Sequence, residues 1–356
     1  DVSGGTATFS GGNSYLGTTT VDEGATLTLS GSVAGGLVNN GTASIGGTVA
    51  GATTNTAYLS AHNATLHNIT NTSGTAILNN TSAGAVTNAA DATFKATVGN
   101  FGDVQNSGTL TLISANAGNV TNTAEGNFTA TGSGTLSSVN NAGTATLGVN
   151  NVVNGDVTNT AGSLTLDKNT ITRNLIATGG SFTVTSNGSE AGSLSGAGAG
   201  NLEGMLTLTN ATETDHSTYS GVMSGTGGVT ITSDADSAVS SETFTGKNTY
   251  TGDTDINAGA QLLLSGDGNV VGRVALNSNG ESDASKLGVS GANHDLVITS
   301  LAWGNGSADV ELGSNNLVIT NASDTYNGNI SGTGHLTVSG GTETLGGTTS
   351  YTGATV

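Results

Sequence analysis

The sequence contains no cysteine and no proline. Without cysteine there are no disulfide bonds and no thiolate metal ligands, so packing and hydrogen bonds have to hold the fold together. Proline removes a backbone donor, and a chain without it can run through long ladders of paired strands. These absences exclude a disulfide-stapled scaffold and favour an uninterrupted β structure.

Positive charge is scarce: six Lys and Arg residues stand against 25 Asp and Glu, for a formal net charge of −19. Binding to nucleic acid requires cations that displace counterions from phosphate. The six cations are scattered along the chain, at Lys95, Lys168, Arg173, Lys247, Arg273 and Lys286. They cannot form a basic groove, so we do not expect DNA, RNA or anionic lipid as partners.

Long apolar runs are missing as well. No stretch approaches the roughly 18 apolar residues of a membrane-spanning helix, so we do not expect the chain itself to be membrane-inserted. The sequence opens at Asp1 with no signal-like segment, and it stops at Val356 in the middle of a repeated phrase. We therefore expect it to be a mature fragment of a longer protein.

The residues that remain are mostly small and polar, including 58 glycines. Val, Leu, Ile and Thr alternate with Ser, Thr, Asn and Ala, which is the period of a half-buried strand. No window carries the apolar stripe of an amphipathic helix. The pattern predicts an all-β protein.

A short phrase (an apolar residue, a polar residue, then Asn) recurs about every 17 residues. Its asparagines are Asn39, Asn55, Asn71, Asn88, Asn106, Asn122, Asn141 and Asn159. Leucine-rich repeats need about 20 to 29 residues and ankyrin-like helical repeats about 33 or more. A shorter period without helical patterning predicts a right-handed parallel β-helix of roughly 18 to 21 coils, one strand spacing apart.

The alternation also assigns faces. Each Asn falls on the inward side with the apolar residue two positions before it. Such a row of amides is open to two interpretations, a metal or sugar site or a structural ladder in which stacked amides bond coil to coil, and we favour the ladder. The residues between them point outward, and the polar members of that row are Thr54, Thr70, Thr87, Gln105, Thr121, Asn140 and Thr158.

A longer phrase occupies the flanks. One copy contains Asn248-Thr249-Tyr250-Thr251-Gly252, and related copies lie around Tyr15 and Tyr351. A Ser-Gly-Thr-Gly unit occurs at 224–227 and again at 331–334. This combination resembles the passenger-associated repeat of bacterial autotransporters (type V secretion). The Asn ladder is similar to the passengers of self-associating autotransporter adhesins.

The resemblance implies a passenger displayed at the outer membrane of a Gram-negative bacterium, or secreted from it. It also implies a role in aggregation, biofilm formation, virulence or attachment to a host surface protein or glycan, with the translocator barrel outside this sequence. We expect one continuous β-helix over 1–356. A passenger-repeat-like coil would occupy 1–36, short Asn-ladder coils 37–185, and longer coils with repeats and loops 186–356.

Motifs of catalysis are absent: no Gly-Asp-Ser-Gly, Gly-x-Ser-x-Gly, His-Glu-x-x-His, Walker or dinucleotide phrase occurs. We expect no enzymatic activity, no cofactor and no metal. The five histidines are His62, His67, His216, His294 and His335. His62 and His67 lie close in sequence, and a surface position is the interpretation we favour for them. The acidic pairs Asp234 with Asp236 and Asp253 with Asp255 could hold Ca²⁺ or act as acid and base, but we favour solvated acidic loops.

Three stretches depart from the repeat, at 210–220, 277–295 and 302–310, and such loops often carry binding. The last one contains Trp303, the only tryptophan. Its indole could anchor a contact, but a core or end-capping position is the interpretation we favour.

The leading hypothesis is homophilic adhesion, in which the outward row on one molecule pairs with the same row on a neighbouring cell. The same row could instead be merely solvated. The alternatives from other classes are a passive stalk that presents a missing functional head and, third, a polysaccharide-cleaving β-helix enzyme.

Overall fold

The structure, a computed structural model, describes residues 1–209, 217–233, 240–278, 284–303 and 307–356. Across these ranges the chain is all-β and contains no helix. Parallel strands stack in about 18 turns, so the fold is a β-solenoid, as the repeat predicts. By compactness the chain divides into two units, Asp1–Leu164 and Thr165–Val356.

In the first unit each turn contributes strands to two long faces and, in part of the unit, to a short third one. The asparagine face consists of the strands that carry the Asn phrase, and it begins with Thr19–Val21 and Leu37–Asn39. The second face begins with Thr6–Phe9 and Thr26–Leu29. The strands in chain order are Thr6–Phe9, Gly12–Asn13, Thr19–Val21, Thr26–Leu29, Ser32–Val33, Leu37–Asn39, Thr42–Ile45, Thr48–Val49, Thr53–Asn55, Tyr58–His62, Thr65–Leu66, Ile69–Asn71, Gly74–Asn79, Val86–Asn88, Ala92–Asn100, Val104–Asn106, Thr109–Asn122, Asn127–Thr131, Thr135–Asn141, Thr144–Leu147, Val152–Val153 and Val157–Asn159.

The strand Ser163–Leu166 contains the point of division. In the second unit the turns are longer and less regular. Its described strands are Thr170–Ala177, Ser181–Val184, Ser189–Gly196, Ala199–Leu202, Leu206–Leu208, Ser217–Tyr219, Met223–Gly225, Val229–Ile231, Ser240–Phe244, Thr254–Asn257, Ala260–Gly266, Val274–Asn277, Lys286–Ala292, Leu296–Ile298, Leu301–Trp303, Asp309–Glu311, Leu317–Ile319, Thr325–Tyr326, Asn329–Ser331, Leu336–Val338 and Thr344–Leu345.

The core of the first unit is filled by complementary volumes. On the second face each turn sends two side chains inward, and in most turns one is large and the other is alanine. Ala43 is followed by Ile45, Leu59 by Ala61 and Phe94 by Ala96, and all of these are at most 2% exposed. Because every turn has nearly the same cross-section, one large and one small side chain fill it to the density of a protein interior.

Glycines allow the bends of successive turns to stack closely. A Cβ placed on Gly47 would lie 1.7 Å from the carbonyl oxygen of Gly31 in the preceding turn. No side chain fits at such a distance, so this turn can stack directly on the preceding one only because residue 47 is glycine.

Candidate functional site

The asparagines of the first unit form one column inside the solenoid. Each is 0–1% exposed, and the side-chain amide Nδ2 of each one before the last donates to the Oδ1 of the asparagine in the next turn. The successive Nδ2–Oδ1 distances are 2.7, 2.7, 2.9, 2.8, 2.7, 2.7 and 2.7 Å for the row Asn39, Asn55, Asn71, Asn88, Asn106, Asn122, Asn141 and Asn159.

The second amide hydrogen of these side chains also has a partner. Asn141, for example, donates to the backbone oxygens of Gly143 and Ser163, both at 3.1 Å. A buried amide without partners would cost about 1–3 kcal/mol. The ladder therefore stabilises the turns, and it presents no free group to a ligand between its ends.

The outward residues of the same strands form a second column, on the outer surface of the asparagine face. Strand pairing puts each in register with the next: Thr54 with Thr70, then in turn Thr87, Gln105, Thr121, Asn140 and Thr158. We call this set the outward column. Thr70, Thr87, Gln105 and Asn140 are exposed, and the other three are half-buried.

The outward column carries hydroxyl and amide groups and no charge. Such groups donate and accept hydrogen bonds but supply neither a nucleophile activated by a base nor a charged metal ligand. Their spacing is that of neighbouring strands, about 4.8 Å. Groups at this spacing can exchange hydrogen bonds with another polar surface of the same spacing.

The second unit contains a cluster of charged residues around Arg273. Its guanidinium donates to both carboxylate oxygens of Asp324, at 3.1 and 3.3 Å, and lies 3.4 Å from Oδ2 of Asp253. Asp255 lies on the same side as Asp253, because the residue between them, Thr254, is buried. Of the predicted pair, Asp253 is therefore paired with a cation, although its side chain stays 46% exposed.

The same cluster shifts the ionisation of its carboxyl groups. Burial would raise the pKa of Asp324, but the hydrogen bonds and positive charge of Arg273 hold it below its ordinary value. Burial, and then the neighbouring charge of Asp253, raise the pKa of Asp255. Burial raises the pKa of Glu343 to about 7, although Ser300 Oγ donates to Oε2 of Glu343 at 3.3 Å.

A further carboxyl group is fully buried. Glu242 is 0% exposed and accepts a hydrogen bond of 3.3 Å from the backbone N of Leu194, while its Oε2 has no partner. Burial raises its pKa well above the ordinary value. Sequence reasoning did not single out Glu242 or Glu343, and it gave Arg273 only as one of six scattered cations, because no motif marks these residues.

Trp303 corrects one expectation. We favoured a core or end-capping position, but the indole is 62% exposed, and the residue has a left-handed backbone with φ of 65°. The in-register residues on either side, Leu276 and Tyr326, are buried as the strand pattern requires. The interpretation failed because alternation assumes an extended backbone, and the backbone of Trp303 is not extended.

Two cavities of the second unit lie beside the irregular stretches. One, of about 340 Å³, is lined by Trp303, Asp324, Thr325 and Asn327. A larger one, of about 500 Å³, is lined by Lys247, Asp267, Asn269, Val271, His294, Asp295 and Val297. The pKa of Asp295 is lowered mainly by hydrogen bonds from the backbone and side chain of Asn316.

The other residues considered in the sequence analysis are histidines and the acidic pair Asp234 and Asp236. His62 and His67 are exposed, as expected, and His335 is exposed as well. Asp234, Asp236 and His216 lie outside the described residues. Among the residues that the structure describes, no group of three or more His, Asp or Glu side chains is placed to hold a metal ion.

Within the same described ranges, no helix has the length and apolar character needed to cross a membrane. Comparisons with protein-family models, with curated proteins and with solved structures found no match.

Proposed function

We propose that this chain is the passenger of a bacterial autotransporter, displayed at or released from the outer membrane, and that it joins cells by self-association. The observation that carries the proposal is the outward column: polar, uncharged side chains in register over seven successive turns of the first unit. The ladder behind it holds each turn at a fixed height, which keeps the outer groups at a regular spacing.

Two such columns, facing each other in antiparallel orientation, could exchange hydrogen bonds at every turn. One neutral hydrogen bond contributes only about 0.5–1.5 kcal/mol, so a single contact is weak. Many contacts in register, on many molecules per cell, add up through multivalency. Weak individual contacts and strong adhesion between cells are compatible for this reason, and the same association supports biofilm growth.

Charge is the main opposing force, because each molecule carries −19. The column itself has no ionised group, so like charges are not forced into direct contact across it. Salt screens the remaining repulsion beyond about 8 Å at physiological ionic strength.

The test uses a non-aggregating bacterium that displays this chain, with cell settling as the measurement. The variant carries three changes in the outward column: Thr70→Asp, Thr87→Asp and Thr121→Asp. We expect settling to be lost, since aspartates in register repel the same row on the partner.

The matched control carries the same chemical change on the second face of the same unit, at the exposed threonines Thr42, Thr109 and Thr144. Adding the same charge there should leave settling largely intact. Equal settling of the column variant and the unsubstituted chain would remove the outward column as the contact surface. No settling even with the unsubstituted chain would favour a passive stalk.

A further inference from the structure

Trp303 is held in an unusual backbone conformation that turns its indole outward. Its in-register neighbours Leu276 and Tyr326 are 0% and 1% exposed, so an extended strand at this point would bury the side chain. Instead φ is 65° and 62% of the residue is exposed. A bulky residue rarely adopts this conformation, and such strain is concentrated at ligand-binding and other functional sites.

The exposed indole lines a cavity of about 340 Å³ together with Asp324, Thr325 and Asn327. This volume lies at the lower end of the range of small-molecule sites, about 300–1,000 Å³. The backbone N of Asn327 donates to the carbonyl oxygen of Trp303 at 2.8 Å, which fixes the two residues side by side. A Cβ on Gly346 would lie 2.2 Å from Asn327 Oδ1, so a glycine at that position leaves room for the amide.

The polar groups beside the indole are both donors and acceptors. Asn327 has an amide and Thr325 a hydroxyl, and both residues are exposed. Arg273 donates to both oxygens of Asp324 and so offsets the charge of this carboxylate. Ser323 also contributes a hydrogen bond to this carboxylate, so the amide and the hydroxyl are the groups that offer hydrogen bonds to a ligand.

We propose that this cavity binds a neutral saccharide. One face of a sugar ring is lined with C–H bonds and packs on an indole, while its hydroxyl groups both donate and accept hydrogen bonds. The indole, the amide and the hydroxyl supply these complements within one cavity that is large enough for one or two sugar rings.

Ligands of other charge fit the cavity less well. An anion would meet the carboxylate of Asp324, with the nearest guanidinium already bound to Asp324 and Asp253. A quaternary ammonium such as trimethyl-lysine would gain from the indole, but its nitrogen carries no hydrogen and cannot donate a hydrogen bond to the amide of Asn327 or the hydroxyl of Thr325. The saccharide site lies in the second unit and does not depend on the self-association proposed for the first.

The unsubstituted protein reports on this site directly, because Trp303 is its only tryptophan. Selective excitation of tryptophan during titration with glucose, galactose, mannose, N-acetylglucosamine and the disaccharides lactose and cellobiose should give a saturable change in emission for at least one sugar. Choline and a trimethyl-lysine peptide are titrated in parallel. Saturation by a cation and by no sugar would overturn the proposal, as would no response to any probe.

Substitutions then show whether the sugar binds in this cavity. Binding is followed by saturation-transfer NMR of the sugar resonances, because this measurement does not require a tryptophan. Trp303→Gly suits the left-handed backbone, and it should weaken binding by about tenfold or more, the factor that corresponds to 1.4 kcal/mol of lost contact. Asn327→Ala should weaken it as well, without touching the indole.

The matched control is Tyr58→Ala, which removes an aromatic side chain that is 43% exposed in the first unit. Sugar binding should be unchanged in this variant. If Tyr58→Ala weakens binding as much as Trp303→Gly does, or if neither cavity substitution weakens it, the sugar is bound elsewhere and the proposed site is wrong.

Discussion

The side-chain amide of Asn122 donates to Oδ1 of Asn141 at 2.7 Å, although nineteen residues separate the two. The same distance joins Asn39 to Asn55, which are sixteen residues apart. The additional residues of the longer turn are therefore accommodated in the bends, while the ladder keeps its spacing. This observation makes the amide column the fixed element of the first unit.

Replacing one amide in the middle of the column should destabilise that unit. Asn141→Ala removes the acceptor of Asn122 and the donor to Asn159. It also removes the donor to two backbone oxygens. Because these partners stay buried, we expect the free energy of unfolding to fall by about 2–4 kcal/mol, measured as a lower urea midpoint by circular dichroism.

The neighbouring residue provides the control. Asn140 has the same side chain but points outward and is exposed. Asn140→Ala should change the free energy of unfolding by no more than about 0.5 kcal/mol. Equal effects of the two substitutions would mean that the ladder contributes little to stability.

Ionic strength should control self-association. The charge of −19 on each molecule repels a second copy, and the screening length falls from about 30 Å at 0.01 M salt to about 10 Å at 0.1 M. We expect cells that display the chain to settle faster as salt rises over this range. Slower settling with salt would indicate contacts between opposite charges instead of the uncharged outward column.

The second unit should lose stability as the pH rises from acid to neutral. Folding raises the pKa of both Glu242 and Glu343 above the ordinary value of 4.5. Their contribution is therefore complete below about pH 4.5, and the part due to Glu343 is lost as the pH passes through about 7. Urea midpoints measured across this range, with hydrogen exchange to locate the change, test the expectation.

Glu242→Gln separates this effect from general acid sensitivity. Glutamine can still accept the hydrogen bond from Leu194 but cannot ionise, so the variant should be more stable than the unsubstituted chain at neutral pH. The control is Glu190→Gln, at an exposed position of the same unit, which should leave the pH profile unchanged. A Glu242→Gln profile identical to that of the unsubstituted chain would contradict the role assigned to this carboxyl group.

Trp303 should be dispensable for stability. Glycine adopts φ of 65° without strain, so Trp303→Gly should keep the free energy of unfolding within about 1 kcal/mol of the original value or raise it. The comparison is Leu276→Ala at the buried in-register neighbour, which should cost about 2–5 kcal/mol. A large loss for Trp303→Gly, seen in thermal melts, would mean that the indole supports the fold.

The regular part of the molecule could be predicted from sequence because one rule repeats. Asn71 and Asn88 share a phrase, and the phrase gives the period, the strand and the inward side of each residue. Parallel stacking then puts equivalent residues in register, so the outward neighbours Thr70 and Thr87 follow without further information.

The irregular part could not be predicted in the same way. Arg273 bonds to Asp324, fifty-one residues later, and turn lengths in the second unit vary too much for a period to connect them. Ser300 lies in the turn between Arg273 and Asp324. It directly precedes Leu301, whose strand partner Val274 directly follows Arg273. The position of Trp303 depended on one backbone angle, which alternation of residue types does not reveal.

The ladder also has a direction. Backbone oxygens such as those of Gly108 and Gly143 accept from the asparagine side chains, and only the NH₂ end of an amide can donate to them. Every amide is thereby oriented the same way, and reversing one would set two NH₂ groups against each other on one side and two oxygens on the other. The amide dipoles consequently add along the stack, and its ends differ: at the Asn39 end an oxygen has no partner. The turn before Asn39 places Val21 in register with it, and an apolar side chain has no hydrogen to donate to this oxygen. The column therefore ends at Asn39, and it could be extended only by an amide at that position that presents its NH₂ group, so any extension keeps the same polarity.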